Sequence, residues 1–214
     1  MGASVKCVLR VRYSKTGAGR YTSHLDMVRM WGRILRRSGL PVEWSDGYVS
    51  RPGVQFGPPL PLGMESRAEY VDINLLALPG NGVLGVLDRC MPRYFQVLDT
   101  WCLEPEAPPP DSGELVAGYA VCFGEEEAEE KLKRALERLE ELETVIGLRY
   151  LNDHRLKFKV PLGSRKNRPD VILDGLLGKR SRVEKEEVFI KRGADDLIPM
   201  KILSKDMEKK FFES

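Results

Sequence analysis

The chain has 214 residues with 42% hydrophobic and 31% charged content, a balance that excludes wholesale disorder and leaves room for one large or two small packed domains. Lys+Arg exceed Asp+Glu by 34 to 32, too small an excess for a generic polyanion binder. No apolar run approaches the roughly 20 residues of a membrane span and the start lacks a signal-peptide core, so a cytoplasmic protein with no membrane partner is expected.

Lys6 to Tyr13 alternates, with Cys7, Leu9, Val11 and Tyr13 on one face and Lys6, Arg10 and Arg12 on the other, which predicts a half-buried strand with a basic outer face. Ser23-His24-Leu25-Asp26 is a short capping box, so a helix starts near His24. Its apolar stripe is Leu25, Val28, Trp31, Ile34 and Leu35; Arg29, Arg33, Arg36 and Arg37 occupy the other side. Gly39 and Pro41 end it. Val49 to Gly63 is too rich in Gly and Pro to be a regular strand and predicts an irregular, protruding arm. Glu69 to Leu75 reads as a strand, Val83 to Cys90 as a helix with Leu84 and Leu87 inward, and Tyr94 to Leu103 as a strand.

Residues 104–114 (EPEAPPPDSGE) form a Pro-rich linker, expected to join neither core. The same order then repeats. Tyr119 to Phe123 is a strand, and Glu125 to Glu143 an amphipathic helix with Glu127/Lys131, Glu129/Lys133 and Glu130/Arg134 spaced for ion pairs. Thr144 to Leu151 and Arg155 to Val160 make a hairpin around Asn152-Asp153, Pro169 opens a short helix ending by Gly178, and Val183 to Arg192 is a last strand. The expectation is an α+β protein of two tandem ferredoxin-like (βαββαβ) domains with antiparallel sheets, over 1–103 and 115–192, followed by a tail over 193–214.

YTSHLD, LRRSGLPVEWSDGY and FGPPLPLGMESRAEYVDI resemble the radical SAM-linked proteins, a family without settled activity found beside, or fused to, radical SAM enzymes. The three-cysteine cluster motif of those enzymes is absent, so the resemblance implies a non-catalytic partner. Cys7, Cys90, Cys102 and Cys122 include no C-x-x-C pair and sit among apolar residues; no metal or cofactor is expected.

Charge is distributed unevenly. Residues 1–103 carry 13 Lys+Arg against 8 Asp+Glu, net +5, and the remainder is net −3. Arg29, Arg33, Arg36, Arg37 and Arg51 concentrate charge in the first half. Arg155, Lys157 and Lys159 share one strand face in the second, followed by Arg165, Lys166 and Arg168 before a helix whose free N–H groups would add to an anion site, and by Lys179, Arg180 and Arg182. Solvated faces would look the same. Basic strand, basic loop and tandem plan together point to RNA. In the arm, Arg51, Gln55 and Phe56 offer a cation, an amide and a ring on backbone that Gly53 and Gly57 leave free to approach a ligand.

His24 in a first helical turn keeps a neutral imidazole available. With Tyr21 behind it and Arg29 ahead, its layout resembles that of the CRISPR repeat-processing endoribonucleases, so His24 and Tyr21 are candidates for metal-free RNA cleavage; a structural histidine bonded to the arm's backbone is the competing reading. His154 belongs to turn chemistry. The resulting expectation is an RNA-binding accessory protein that presents a tRNA or rRNA to a radical SAM enzyme, with an endoribonuclease and an RNA-free protein adaptor as alternatives.

Overall fold

The computed structural model describes residues 4–124, 128–151, 154–177, 181–193 and 196–213. Among these, nine strands in one sheet and five α-helices make a mixed α+β protein. In the first half, strands β1 (Cys7–Lys15), β2 (Val54–Phe56), β3 (Glu65–Leu75) and β4 (Phe95–Leu103) alternate with helices α1 (His24–Ser38) and α2 (Val83–Cys90). In the second, β5 (Leu115–Cys122), β6 (Ile146–Leu151), β7 (Arg155–Pro161) and β8 (Arg182–Lys191) alternate with α3 (Ala128–Glu140) and α4 (Pro169–Ile172). Strand β9 (Leu197–Pro199) and helix α5 (Met200–Glu213) close the chain.

The sheet runs β4-β1-β3-β8-β5-β7-β6, with β2 on β3 and β9 on β8. Two separate antiparallel sheets were the expectation, and the sheet is instead continuous and mixed. Its joint is a parallel pair between Glu65-Ser66 of β3 and Glu184-Lys185 of β8. The short β2 explains why a joint is possible: it covers β3 only over Val71 to Ile73, which leaves the start of β3 as an open edge that another strand can complete.

Helix α1 forms where its cap predicts. The Ser23 hydroxyl accepts the Asp26 N–H at 3.2 Å and donates to the Asp26 carboxylate at 2.7 Å, and Gly39 ends the helix in the left-handed region at φ 67°. Its buried face is Met27, Trp31, Ile34 and Leu35, packed on Cys7, Leu9, Val11 and Tyr13 of β1. Burying Ile34 and Leu35 stabilises the fold by roughly 1.5–3 kcal/mol each. Leu25 and Val28, expected in this stripe, are 67% and 37% exposed. The helix is rotated so that Met27 takes the inward position. In α2, Leu87 is buried as expected, whereas Leu84 is exposed.

The opposite face of β1 departs from expectation. Arg10 is buried in a two-point pair with Asp72, and Arg12 bonds Asp99. A basic outer face never forms, because two acidic neighbours and the C-terminal segments cover it. Val8, Tyr70, Trp101, Leu115, Val188 and Met200 make a core that draws on both halves and on α5. The Pro-rich linker joins this core too: Ala107 packs against it, Pro110 is buried, and the Pro108 carbonyl accepts from Arg10 at 2.6 Å. A second core under α3 and α4 holds Leu132, Ala135 and Leu139 against Tyr119, Leu156, Phe158 and Val160.

The tail is a strand and a helix packed on β4 and β8, which resolves its placement. The Glu130–Arg134 pair forms at 2.5 Å. Glu125 to Glu127, the Asn152-Asp153 turn and Gly178 to Arg180 lie outside the described residues.

Candidate functional site

A groove of about 840 Å³ lies between α1 and the arm. Helix α1 supplies Leu25, Val28, Arg29, Gly32, Arg33 and Arg36, and the arm supplies Val49 to Pro52, Val54 and Phe56. The groove exists because the rotated helix leaves Leu25 and Val28 uncovered and the arm does not close over them. Backbone hydrogen bonds hold the arm in place. Gly53 donates to the Glu43 carbonyl at 2.8 Å and accepts from Asn74 at 2.9 Å, and Gly57 donates to Tyr70 at 2.9 Å. Both residues thus tie the arm to its neighbours through the backbone, and at Gly53 the missing side chain is what lets the arm approach β3. The expectation that they free the backbone for a ligand is corrected: a Cβ on Gly53 would sit 2.7 Å from the Glu43 carboxylate.

Four arginines line this groove, and among the described residues no Asp or Glu does. Arg36 stacks 5.0 Å above Trp44 and donates to the Ser50 carbonyl at 3.1 Å. Arg29 reaches Asp26 outside the groove at 3.4 Å, and Arg33 donates to the Arg29 carbonyl at 3.4 Å. Arg33 and Arg51 have no carboxylate partner among the described residues. The Ser23 hydroxyl holds the Asp26 carboxyl below its ordinary range, with Arg29 adding to the effect. Arginine edges over an apolar floor can hold an anion while packing flat groups beneath it. Arg37, placed with this set by sequence, turns away to the Cys90 carbonyl at 2.5 Å.

His24 and Tyr21 are not brought together. The exposed His24 ring stands edge-on to Phe56 at 5.5 Å, beside a small chamber it shares with Lys15 and Glu69. An aromatic contact thus replaces the backbone hydrogen bond expected for it. Tyr21 instead faces a cleft of about 1010 Å³ between the halves.

Of the second-half set, Arg155 and Lys157 line that cleft. Lys157 pairs with Glu186 at 2.7 Å. Lys159 does share their strand face, and its ammonium lies 4.7 Å above Phe189. Arg168 is taken by Asp170, while Arg165 and Lys166 are exposed on a single 3-10 turn. Helix α4 is one turn of four residues, too short to offer the anion site expected at its start. His154 adopts the left-handed conformation at φ 56° in its turn.

Sequence reasoning missed Arg20, Arg67 and the exposed Leu25 and Val28. Only the pairing of β3 with β8 brings the first two to the cleft, and no local signal marks that. No cluster of three or more His, Cys, Asp or Glu positioned for a metal occurs among the described residues, and no helix of theirs is long and apolar enough to cross a membrane.

Residues 8–155 match a family described as an uncharacterized protein conserved in bacteria (DUF2344). The chain belongs to that family. The DUF2344 match contains the whole α1–arm groove and ends at Arg155, so Lys157, Arg182 and α5 lie beyond it. No curated protein matches the chain.

Proposed function

We propose that this protein binds single-stranded RNA in the α1–arm groove and presents it, in the cytoplasm, to a radical SAM enzyme. The observation that carries the RNA reading is the set of four guanidiniums around an apolar floor, with no carboxylate among the described residues of the walls. Phosphates suit the guanidiniums, and the hydrophobic floor suits bases that have left a helical stack. From Leu25 to Arg36 the groove follows α1 for about 17 Å at 1.5 Å per residue, enough for a few nucleotides. The radical SAM partner is supported by the motif resemblance around YTSHLD and FGPPLPLG; tRNA and rRNA are the substrates that reading favours.

Two ferredoxin-like units, over 1–103 and 115–192, are part of the same proposal. Their support is the spatial order, β4-β1-β3-β2 in the first half and β8-β5-β7-β6 in the second. These are equivalent positions in two βαββαβ strings.

Fluorescence anisotropy with a labelled single-stranded RNA tests the binding. Replacing Arg29, Arg33, Arg36 and Arg51 together by Ala is expected to lower affinity more than tenfold and flatten its salt dependence. Unchanged affinity and salt slope would refute the reading. Crosslinking the tagged protein in its own cells, with RNA and proteins identified together, tests presentation. A second reading, a protein adaptor, is favoured by the exposed Leu25, Tyr48 and Val49 at 67%, 106% and 66%. It predicts a partner retained after nuclease treatment.

A further inference from the structure

The cleft between the halves is bounded on one side by Thr16 to Tyr21 and the start of β3, and on the other by the ends of β5, β7 and β8. Its charges nearly cancel in pairs. Arg67 meets Glu184 at 2.7 Å, Lys157 meets Glu186 at 2.7 Å and Arg20 approaches Glu65 at 3.8 Å. Two exposed cations are left over, Arg155 and Arg182, and neither has an ion-pair partner among the described residues. They are placed by sheet register: both stand opposite Cys122 of β5, one on each neighbouring strand. Strands lie about 4.8 Å apart, so the two backbones are about 10 Å from each other with a small side chain between them. The cleft is therefore electropositive at these two guanidiniums, which nothing among the described residues neutralises.

The same cleft holds an aromatic face. Tyr21 is 63% exposed, and the Arg20 guanidinium is anchored on it, donating to its hydroxyl at 2.8 Å and lying 4.9 Å from the ring centroid. Four residues after Tyr21 comes Leu25, at the edge of the α1–arm groove. The first turn of α1 thus separates the two cavities.

We infer that this cleft receives an unpaired nucleotide of the bound RNA, with its base on Tyr21 and its phosphate between Arg155 and Arg182. The inference rests on the RNA reading of the groove. Charge complementarity identifies the ligand, since two guanidiniums without an ion-pair partner among the described residues call for an anion, and an exposed ring in the same cleft calls for a flat group. RNA supplies both in one repeating unit. The protein would then hold RNA at two points and expose one nucleotide between its halves, which is what presentation to another enzyme requires.

Cys122 reports on the cleft without mutation. It is half-buried, as is Cys90, which lines neither the cleft nor the groove, whereas Cys7 and Cys102 are buried. The full chain is alkylated with iodoacetamide, with and without a fluorescein-labelled single-stranded RNA of mixed sequence about 12 nucleotides long. Rates at each cysteine are read by mass spectrometry while anisotropy reports binding in the same tube. Saturating RNA is expected to slow alkylation of Cys122 about tenfold and leave Cys90 unchanged. Arg155→Ala with Arg182→Ala is expected to remove that protection and to lower the salt slope of RNA affinity by about 0.7, the value for one phosphate neutralised on a single strand. Tyr21→Ala is expected to weaken binding without changing the slope. If RNA binds and Cys122 is alkylated at its free rate, the cleft assignment is overturned and the groove stands. If no RNA binds, both fall.

Discussion

Arg10 and Asp72 offer the sharpest test of how the sheet is held to the segment that crosses it. Their side chains are 1% and 4% exposed, and the guanidinium makes two bonds to the carboxylate, at 2.8 and 2.7 Å, with a third to the Pro108 carbonyl at 2.6 Å. Asp72→Asn keeps the shape and removes the charge, leaving a buried guanidinium with one neutral acceptor and an amide that can meet only part of its fork. Breaking a buried pair from one side costs about 3–5 kcal/mol, a large part of the roughly 5–15 kcal/mol that holds a domain folded. With a urea m-value of about 2 kcal/mol/M, the midpoint should fall by roughly 1.5–2.5 M. The double variant Arg10→Met with Asp72→Leu should recover most of that loss, because two apolar groups pay no desolvation penalty. The assay is urea unfolding followed by tryptophan fluorescence. A midpoint shift below about 0.5 M for Asp72→Asn, roughly 1 kcal/mol, would refute the reasoning and mean that water reaches Arg10.

Met200 is 1% exposed in the core shared by both halves and α5. Met200→Ala should cost about 2–5 kcal/mol and lower one common transition; fluorescence of Trp31 and hydrogen exchange in β7 check that both halves lose structure together. Ser23→Ala should raise the Asp26 pKa toward its ordinary value, with Arg29 still holding it down in part, observable by carboxyl NMR titration. Because Asp26 is held below that value, its favourable cap contact is complete at neutral pH and is lost as pH falls through the lowered pKa. Gly53→Ala should push aside the Glu43 carboxylate, break its 2.7 Å bond to Asn74 and loosen the arm. A loss of about 1–3 kcal/mol in thermal unfolding, together with weaker RNA binding, would show it.

Local signals were enough for the elements and not for their joint. The Ser23 cap, the Gly39 stop and the alternation of Leu156, Phe158 and Val160 each reflect contacts within a few residues, and each appears where it should. The parallel pairing of Glu65-Ser66 with Glu184-Lys185 spans more than half the chain and follows from an edge left open by a short strand; periodicity carries no trace of it. The fate of Arg10 and Arg12 is hidden for the same reason, since an alternating strand looks alike whether solvent or another segment covers its polar face. The groove was half legible. Arg29, Arg33 and Arg36 fall on one helix face by spacing, but Met27 and Leu25 compete for the inward position, and packing against β1 chose Met27.

The arginines inside the protein and those in the groove differ in a way that bears on purpose. Arg10 and Arg12, under the sheet, each meet a carboxylate, as buried charges must. In the groove, Arg33 has Arg29 four residues before it and Arg36 and Arg37 three and four after it. Such like-charge neighbours destabilise a helix by about 0.2–0.5 kcal/mol per pair. This is a standing cost that the free protein does not recover and that an anionic ligand would. Arg33→Glu separates the two roles, since it turns three repulsions into three attractions. Solvent exposure and the existing bonds of Arg36 and Arg37 reduce the gain, which leaves about 1 kcal/mol of added stability and a melting temperature about 2–4 °C higher. In the same protein RNA affinity should fall at least tenfold, because a carboxylate now faces the phosphates. A variant that melts no higher would refute the standing cost, and one that binds RNA as before would show that the arginine face is ordinary solvated surface.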